Sequence, residues 1–196
     1  FGDMAEHAAE SLRKGDRVAF LGENQPAYIE TLFAVGTVGA IFVPLNTRLA
    51  VPELNYQLGD SGSSALIFAP SHEAQSLAAV RHSRVRTLIR VGDAKPGLAE
   101  GYEDVLAASS PEHLDVPVTR DDPAIIIYTS GTTGSPKGAL LSHGNLSWSS
   151  INFIVDYDVT SDDVMLLNSP LFHIASLGHG LLPFVLKGGR MIVEAG

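Results

Sequence analysis

Residues 125–141 read Ile-Ile-Ile-Tyr-Thr-Ser-Gly-Thr-Thr-Gly-Ser-Pro-Lys-Gly-Ala-Leu-Leu, and this stretch decides the fold. Its first apolar run predicts a buried strand, and a second apolar run begins just after Lys137. The glycines between them let backbone N–H groups approach an anion closely, the hydroxyls add donors, and the lysine adds a positive charge. No carboxylate interrupts the stretch. The composition therefore indicates a loop that binds a polyphosphate.

The spacing of the glycines separates this loop from the Walker A motif. Walker A has four residues between its glycines and leads directly into a helix. Here Gly131 and Gly134 are three apart, Pro136 precedes the lysine and Gly138 follows it. Because a proline inside a helix loses a hydrogen bond and clashes with the preceding turn, we expect strand, loop and strand. A hairpin without a ligand, with Lys137 as an ordinary surface lysine, is the alternative.

At residues 128–138 the chain resembles the phosphate loop of the adenylate-forming, or AMP-binding, enzymes. This family includes the fatty-acyl- and aryl-CoA ligases, firefly luciferase and the adenylation domains of peptide synthetases. Weaker similarities to other blocks of the family extend over most of the chain. They lie at residues 15–19 with Asn24, and at residues 39–46, 58–62, 142–146 and 170–174.

The resemblance implies an α/β fold with a mostly parallel sheet covered by helices, as part of the large N-terminal domain. It implies ATP, Mg²⁺ and coenzyme A as cofactors or co-substrates and a small carboxylic acid as substrate. Thr132, Thr133 and Lys137 are the main candidates for contact with the ATP phosphates. The supporting cofactor-binding residues are Thr129, Ser130, Gly131 and Gly134.

The resemblance also makes His173 a candidate for the substrate pocket. It lies in Pro170-Leu-Phe-His-Ile174, just beyond a predicted strand, and ligand sites of open α/β sheets gather at such positions. The family places a histidine or aromatic residue there, beside the acyl group. A single histidine among apolar residues otherwise predicts a core residue. Peptide-synthetase domains usually carry an aspartate around this block, and Phe172-His173 favours a substrate without an α-amino group.

The composition of the chain argues against several other classes of protein. The 196 residues carry a formal net charge of −9, which argues against nucleic acid as a partner. The sequence has no cysteine, and its histidines form no tight cluster with Asp or Glu, so we expect no metal site. The uncharged apolar stretch at residues 31–45 contains Gly36, Gly39 and Pro44 and is shorter than the roughly 20 residues of a membrane helix. We expect a cytoplasmic protein without a transmembrane segment.

Helix and strand signals alternate along the chain, which predicts the same α/β class independently of the resemblance. The predicted helix 26–38 has a cap near Asn24, and helix 72–80 has Ser71 as its cap. The other predicted helices are 52–58, 102–107, 145–154 and 176–186. The predicted strands are 17–21, 41–43, 65–68, 87–91, 124–128, 139–141, 164–167 and 191–193.

Both ends of the chain suggest a piece of a longer protein. Phe1 to Leu12 show helical spacing from the first residue, and Gly196 follows a predicted strand by three residues. We therefore expect residues 1–196 to be a partial N-terminal AMP-binding domain. The family's magnesium motif, ribose-binding aspartate, hinge and catalytic lysine have no counterpart here. No catalytic residue is thus predicted within the chain, and the chain alone is expected to be inactive.

Three functions are compatible with these patterns. The leading one is an acid–thiol ligase that converts a fatty or aryl acid into an acyl-adenylate and then an acyl-CoA thioester. The alternatives are a non-catalytic nucleotide-binding module and an adenylation domain of the peptide-synthetase type.

Overall fold

The structure is a computed structural model that describes residues 12–109, 116–129 and 135–195. The strands in these ranges are β1 (Arg17–Leu21), β2 (Ile41–Pro44), β3 (Ala65–Phe68), β4 (Thr87–Arg90), β5 (Glu100–Gly101), β6 (Pro123–Thr129), β7 (Lys137–Ser142), β8 (Val164–Leu167) and β9 (Arg190–Val193). The main sheet has the order β5-β4-β3-β1-β2-β6-β7. Its pairs are parallel except β6 and β7, which run antiparallel. β8 and β9 pair in parallel as a separate sheet.

Helices connect β1 to β2, β2 to β3, β3 to β4 and β8 to β9, as is usual for parallel strands, whereas residues 91–99 connect β4 to the short β5 without a helix. The helices are α1 (Pro26–Thr37), α2 (Val51–Ser61), α3 (Glu73–Ala79), α4 (Tyr102–Ala108), α5 (His143–Asp156) and α6 (Leu182–Lys187). A π-helical turn, Ser176–Leu181, precedes α6, and 3₁₀ turns at Pro70–His72 and Val80–His82 flank α3.

The central strands β1, β2 and β3 are buried, and their alternating side chains point into two cores on opposite faces of the sheet, whereas the edge strand β7 is largely exposed. On one face Phe20 and Phe42 meet Tyr28 of α1 edge to face, with ring centroids 5.0 and 5.1 Å from it. On the other face Leu21 and its neighbours pack against Leu54 of α2 and residues of α3. Full burial of each such side chain contributes roughly 1.5–3 kcal/mol, so two independent cores stabilise the sheet.

The predicted strands are confirmed, and their bounds agree with the observed ones within two residues. Short apolar runs bounded by turn residues were sufficient to locate them, both for the buried strands β1 to β3 and for the more exposed strands β7 to β9. β5, of two residues, was missed, since it is too short to show a period. The predicted start of a helix at residue 1 lies outside the described residues.

Two predicted helix caps are wrong. Gln25, not Asn24, precedes α1, and Pro26 at its first turn has no N–H that needs a cap. The buried Asn24 side chain instead bonds to the segment after β8. Ser71 lies inside a 3₁₀ turn and donates its hydroxyl to the Glu23 carboxylate, 3.0 Å away.

The predicted helix 176–186 is interrupted. Its first half is a π-helical turn and its second half is α6. Pro183 has no backbone N–H, so the carbonyl of His179 cannot receive the usual bond from four residues ahead. The interruption therefore follows from one proline. His179 stacks on Phe153 of α5, with centroids 5.3 Å apart.

Within the described ranges, no helix combines the length and hydrophobicity needed to cross a membrane.

Candidate active site

The glycine-rich loop joins the only antiparallel pair of the main sheet as far as the structure describes it. β6 runs parallel to β2, with Ile125 opposite Phe42, and β7 returns along β6 with Thr129 opposite Lys137. The two predicted strands on either side of the loop are thus confirmed. The loop begins where β6 ends, at the carboxyl edge of the parallel strands. That edge is where ligands of open α/β sheets bind.

Two of the predicted phosphate-binding residues lie at the stems of this loop. The hydroxyl of Thr129 donates to the carbonyl of Lys137 across the pair, at 3.5 Å. The Lys137 side chain is exposed, and no acidic group of the described chain pairs with it. Its charge is therefore available to an anion. The remaining predicted contacts lie outside the described residues: Ser130, Gly131, Thr132, Thr133 and Gly134.

Helix α2 contacts both stems, a feature that the sequence did not reveal. The hydroxyl of Tyr128 donates to the Asp60 carboxylate at 2.7 Å, and the Gln57 carbonyl lies 3.2 Å away. On the other stem, the hydroxyl of Tyr56 donates to the carbonyl of Pro136 at 3.2 Å. The only signal in the sequence is that Tyr56 and Asp60 are four residues apart, hence on one helix face.

Gly138 is required by its neighbour on β6. A Cβ atom at this position would lie 2.8 Å from Cγ2 of Ile126 and 3.3 Å from Cζ of Tyr128. Both distances are too short for an ordinary contact. The Tyr128 ring therefore occupies the space above Gly138, directly beside Lys137.

The segment after β8 is fixed to the same edge of the main sheet. Asn24, which follows β1, donates to the carbonyl of Ser169 at 2.9 Å and accepts from the N–H of Leu171 at 2.8 Å. Tyr28 donates its hydroxyl to the carbonyl of Leu171 at 3.0 Å. Since Asn24 is only 6% exposed, these bonds are sheltered from water. They place the segment that leads to His173 at the carboxyl edge, where the glycine-rich loop also begins.

His173 is exposed, with its ring 4.5 Å from that of the buried Phe172. Its backbone N–H donates to the carbonyl of Pro170, which closes a turn. The structure thus excludes the interpretation of His173 as a core residue. Its place in a substrate pocket remains a prediction.

Replacing Asn24 with alanine is expected to lower the free energy of unfolding by about 1–3 kcal/mol, because it leaves the buried N–H of Leu171 without a partner. Urea denaturation of the chain measures the change. Asn55→Ala is the matched control: Asn55 makes one bond, to the carbonyl of Ala79, and is half-buried, so about 1 kcal/mol is expected. An equal or smaller loss in Asn24→Ala would contradict the assigned role.

The described residues do not form a magnesium site. No three His, Cys, Asp or Glu side chains converge within the part of the chain that the structure describes. Near the loop, Thr129 and Lys137 supply a hydroxyl and a cation, whereas Mg²⁺ prefers carboxylate and water oxygens. No chemical step is therefore assigned to the ion.

With this geometry established, comparison with known proteins identifies the class. The sequence model of the AMP-binding enzymes matches residues 3–196, so the chain belongs to the AMP-binding enzyme family. Feruloyl-CoA synthase of Amycolatopsis sp is 49% identical over 187 residues, which are 95% of this chain and 35% of that protein. Long-chain-fatty-acid–CoA ligase FadD13 of Mycobacterium tuberculosis is 35% identical over 176 residues, 86% of this chain and 33% of that protein.

A solved structure extends the comparison to the fold. The crystal structure of ATP-bound MatB from Rhodopseudomonas palustris superposes with a TM-score of 0.83 at 30% identity. The match covers 96% of this chain and 38% of that one. The chain thus has the fold of the corresponding part of a CoA-ligase-like protein and spans about a third of the length of its curated relatives.

Proposed function

We propose that the chain is part of an acid–thiol ligase that activates a carboxylic acid with ATP and transfers the acyl group to coenzyme A. The observation that carries this proposal is the hairpin β6–β7, which presents the uncompensated charge of Lys137 beside a glycine- and hydroxyl-rich loop. The names of its relatives, a feruloyl-CoA synthase and a long-chain-fatty-acid–CoA ligase, support the same reaction class. The ATP bound to the similar MatB structure supports the nucleotide.

The reaction has two steps that balance without a redox partner. A carboxylate oxygen attacks the α-phosphorus of ATP, and pyrophosphate leaves, which gives an acyl-adenylate. The sulfur of coenzyme A then attacks the acyl carbonyl, AMP leaves, and the thiol proton is released. The first step requires that charge on the β- and γ-phosphates be held while the bond to the α-phosphorus breaks.

The residues proposed for that task are those of the loop. The ammonium of Lys137 neutralises charge on the leaving pyrophosphate, and the hydroxyls of Thr132 and Thr133 donate to its oxygens. Thr129, Ser130, Gly131 and Gly134 provide further hydroxyl and backbone donors. These interactions need no covalent bond to the protein, so they act by stabilising charge.

A fatty or aryl acid is the proposed substrate. The absence of a carboxylate at Phe172 and His173 supports an acid without an α-ammonium group, which disfavours the peptide-synthetase type of domain. Relatives named for an aryl acid and for long-chain fatty acids support both classes. The higher identity to the feruloyl-CoA synthase favours the aryl class.

Residues 1–196 are proposed to be the first part of the large N-terminal domain of this ligase. The lengths of the curated relatives, of which the chain spans about a third, support this assignment. The activity is therefore assigned to the full-length protein.

Pyrophosphate exchange into ATP by the full-length protein tests the proposal. We expect exchange that depends on the added acid, followed by thioester formation when coenzyme A is supplied. A panel of aryl, short-chain and long-chain acids, with an amino acid as the negative control, identifies the class. ATP binding without exchange for any acid would instead support a nucleotide-binding module.

His173→Ala is expected to change the ranking of acids by kcat/KM while the KM for ATP stays within about twofold, because the residue is placed beside the acyl group. The same acid panel measures the ranking. His179→Ala is the control for loss of an exposed imidazole from the same region. A ranking identical to that of the wild type would remove His173 from the pocket.

A further inference from the structure

Helix α2 presents one face to the two stems of the glycine-rich loop. Tyr56 and Asp60 are one helical turn apart, and each bonds to a different stem: Tyr56 to Pro136 before β7, and Asp60 to Tyr128 near the end of β6. The two stems are therefore supported by the same helix. Nothing in the proposed chemistry uses these three side chains.

Tyr128 connects this helix to the lysine stem. It lies directly opposite Gly138 in the β6–β7 pair, next to the pair of Thr129 and Lys137. A Cβ atom at Gly138 would collide with Cγ2 of Ile126 at 2.8 Å and would come within 3.3 Å of the Tyr128 ring, so the ring packs closely over the backbone of Gly138. The position of the Tyr128 ring is therefore coupled to the backbone next to Lys137.

The phenol of Tyr128 keeps the proton that it donates to Asp60. Burial, followed by the hydrogen bond to the Asp60 carboxylate, raises the pKa of Tyr128 well above its usual value. The phenol stays protonated and keeps donating. Hydrogen bonds to a charged acceptor are among the stronger ones in proteins.

We propose that Tyr128 and Asp60 are positioning residues, which hold the stems of the loop in the arrangement that binds the ATP phosphates. This inference rests on the proposed function and deepens it. A glycine-rich loop loses much conformational freedom when it closes on a ligand. When the stems are already fixed, less conformational entropy is lost on binding. The contribution of Tyr128 and Asp60 should therefore appear in the affinity for ATP rather than in the affinity for the acid.

The experiment uses the full-length protein with Tyr128→Phe, Asp60→Ala, the double variant and Asp60→Asn. Binding of ATP is measured by calorimetry, and pyrophosphate exchange gives KM for ATP and for the acid. Tyr128→Phe removes the hydroxyl and is expected to weaken ATP binding about tenfold. Asp60→Ala is expected to weaken ATP binding less, because the hydroxyl of Tyr128 can still donate to the Gln57 carbonyl. The double variant should show the loss of Tyr128→Phe alone, because Asp60 acts through that hydroxyl. Asp60→Asn, which retains an acceptor oxygen, should stay within about twofold.

Tyr102→Phe is the matched control. Its hydroxyl also donates to a carboxylate, Oε2 of Glu30, at 2.7 Å, but it belongs to α4, which follows the strand at the opposite edge of the sheet. This variant should lower the melting temperature and leave ATP binding unchanged.

The possible results distinguish a positioning role of Tyr128 and Asp60 from a general loss of protein stability, and from failure of the proposed ligase function. Unchanged ATP affinity in Tyr128→Phe would overturn the positioning role. Equal weakening by Tyr102→Phe, or an equal rise of KM for ATP and acid, would overturn it as well. Calorimetry measures ATP binding without turnover, so it tests the positioning role of Tyr128 and Asp60 even when no acid supports pyrophosphate exchange. Absence of exchange would count against the proposed ligase activity, but not against the positioning role. Absence of ATP binding in the wild type would overturn both.

Discussion

Replacing Lys137 with alanine is expected to lower acid-dependent pyrophosphate exchange in the full-length protein by about one to two orders of magnitude. Charge-assisted hydrogen bonds contribute roughly 1.5–3 kcal/mol, and each 1.4 kcal/mol corresponds to about a factor of ten. Lys137 has no competing ion pair among the described residues, so its full charge is available to the phosphates. The loss should appear with every acid in the panel.

Two further variants test whether the loss of exchange is specific to the position and charge of Lys137. Lys137→Arg keeps the charge with a different geometry and should recover part of the exchange. Lys95→Ala removes a lysine that pairs with Glu73, beyond β4 and far along the sheet from β7, and should leave exchange unchanged. Wild-type exchange in Lys137→Ala would mean that the loop does not bind the triphosphate.

The 196-residue chain by itself is expected to fold without forming detectable acyl-adenylate. Its central strands β1, β2 and β3 are buried between two cores formed by the described residues, and these cores are expected to fold. The resemblance places the groups that hold the ribose and the catalytic lysine in later parts of the family's chain, and the described residues provide no cluster of three side chains that could hold a metal. Since each missing contact is worth a few kcal/mol, the combined loss amounts to many powers of ten in rate.

Incubation of the purified chain with labelled ATP, magnesium and the acid panel measures this directly. Circular dichroism on the same sample confirms that the chain is folded. Acid-dependent AMP formation above the uncatalysed rate would show that the catalytic groups lie within residues 1–196.

The sequence predicted what local composition determines. Apolar runs bounded by turn residues predicted the strands, and the position of Pro136 predicted a hairpin rather than a loop leading into a helix. The resemblance predicted the family from eleven residues. Thr129 and Lys137 lie at the stems of the loop, as the hairpin required.

Contacts between distant parts of the chain could not be predicted in this way. Asn24 was expected to cap a helix, yet its bonds reach residues about 145 positions away. The bond between Tyr128 and Asp60 joins residues that are 68 positions apart. The sequence pattern that predicts helices and strands does not show which residue a side-chain amide or phenol will bond to, because that partner depends on how the helices and strands pack. The sequence therefore predicted the hairpin that carries the candidate site, but not the contacts of Asn24 and Asp60 that support it.

The packing of Tyr128 on Gly138 has a consequence for protein engineering. A chimeric ligase made by transplanting only residues 129–137 would place one enzyme's loop on another enzyme's scaffold. The natural module to exchange is larger: it includes the ring of Tyr128, the glycine beneath it and the helix face that bears Tyr56 and Asp60. Exchange of that whole module preserves the geometry that a loop swap would lose.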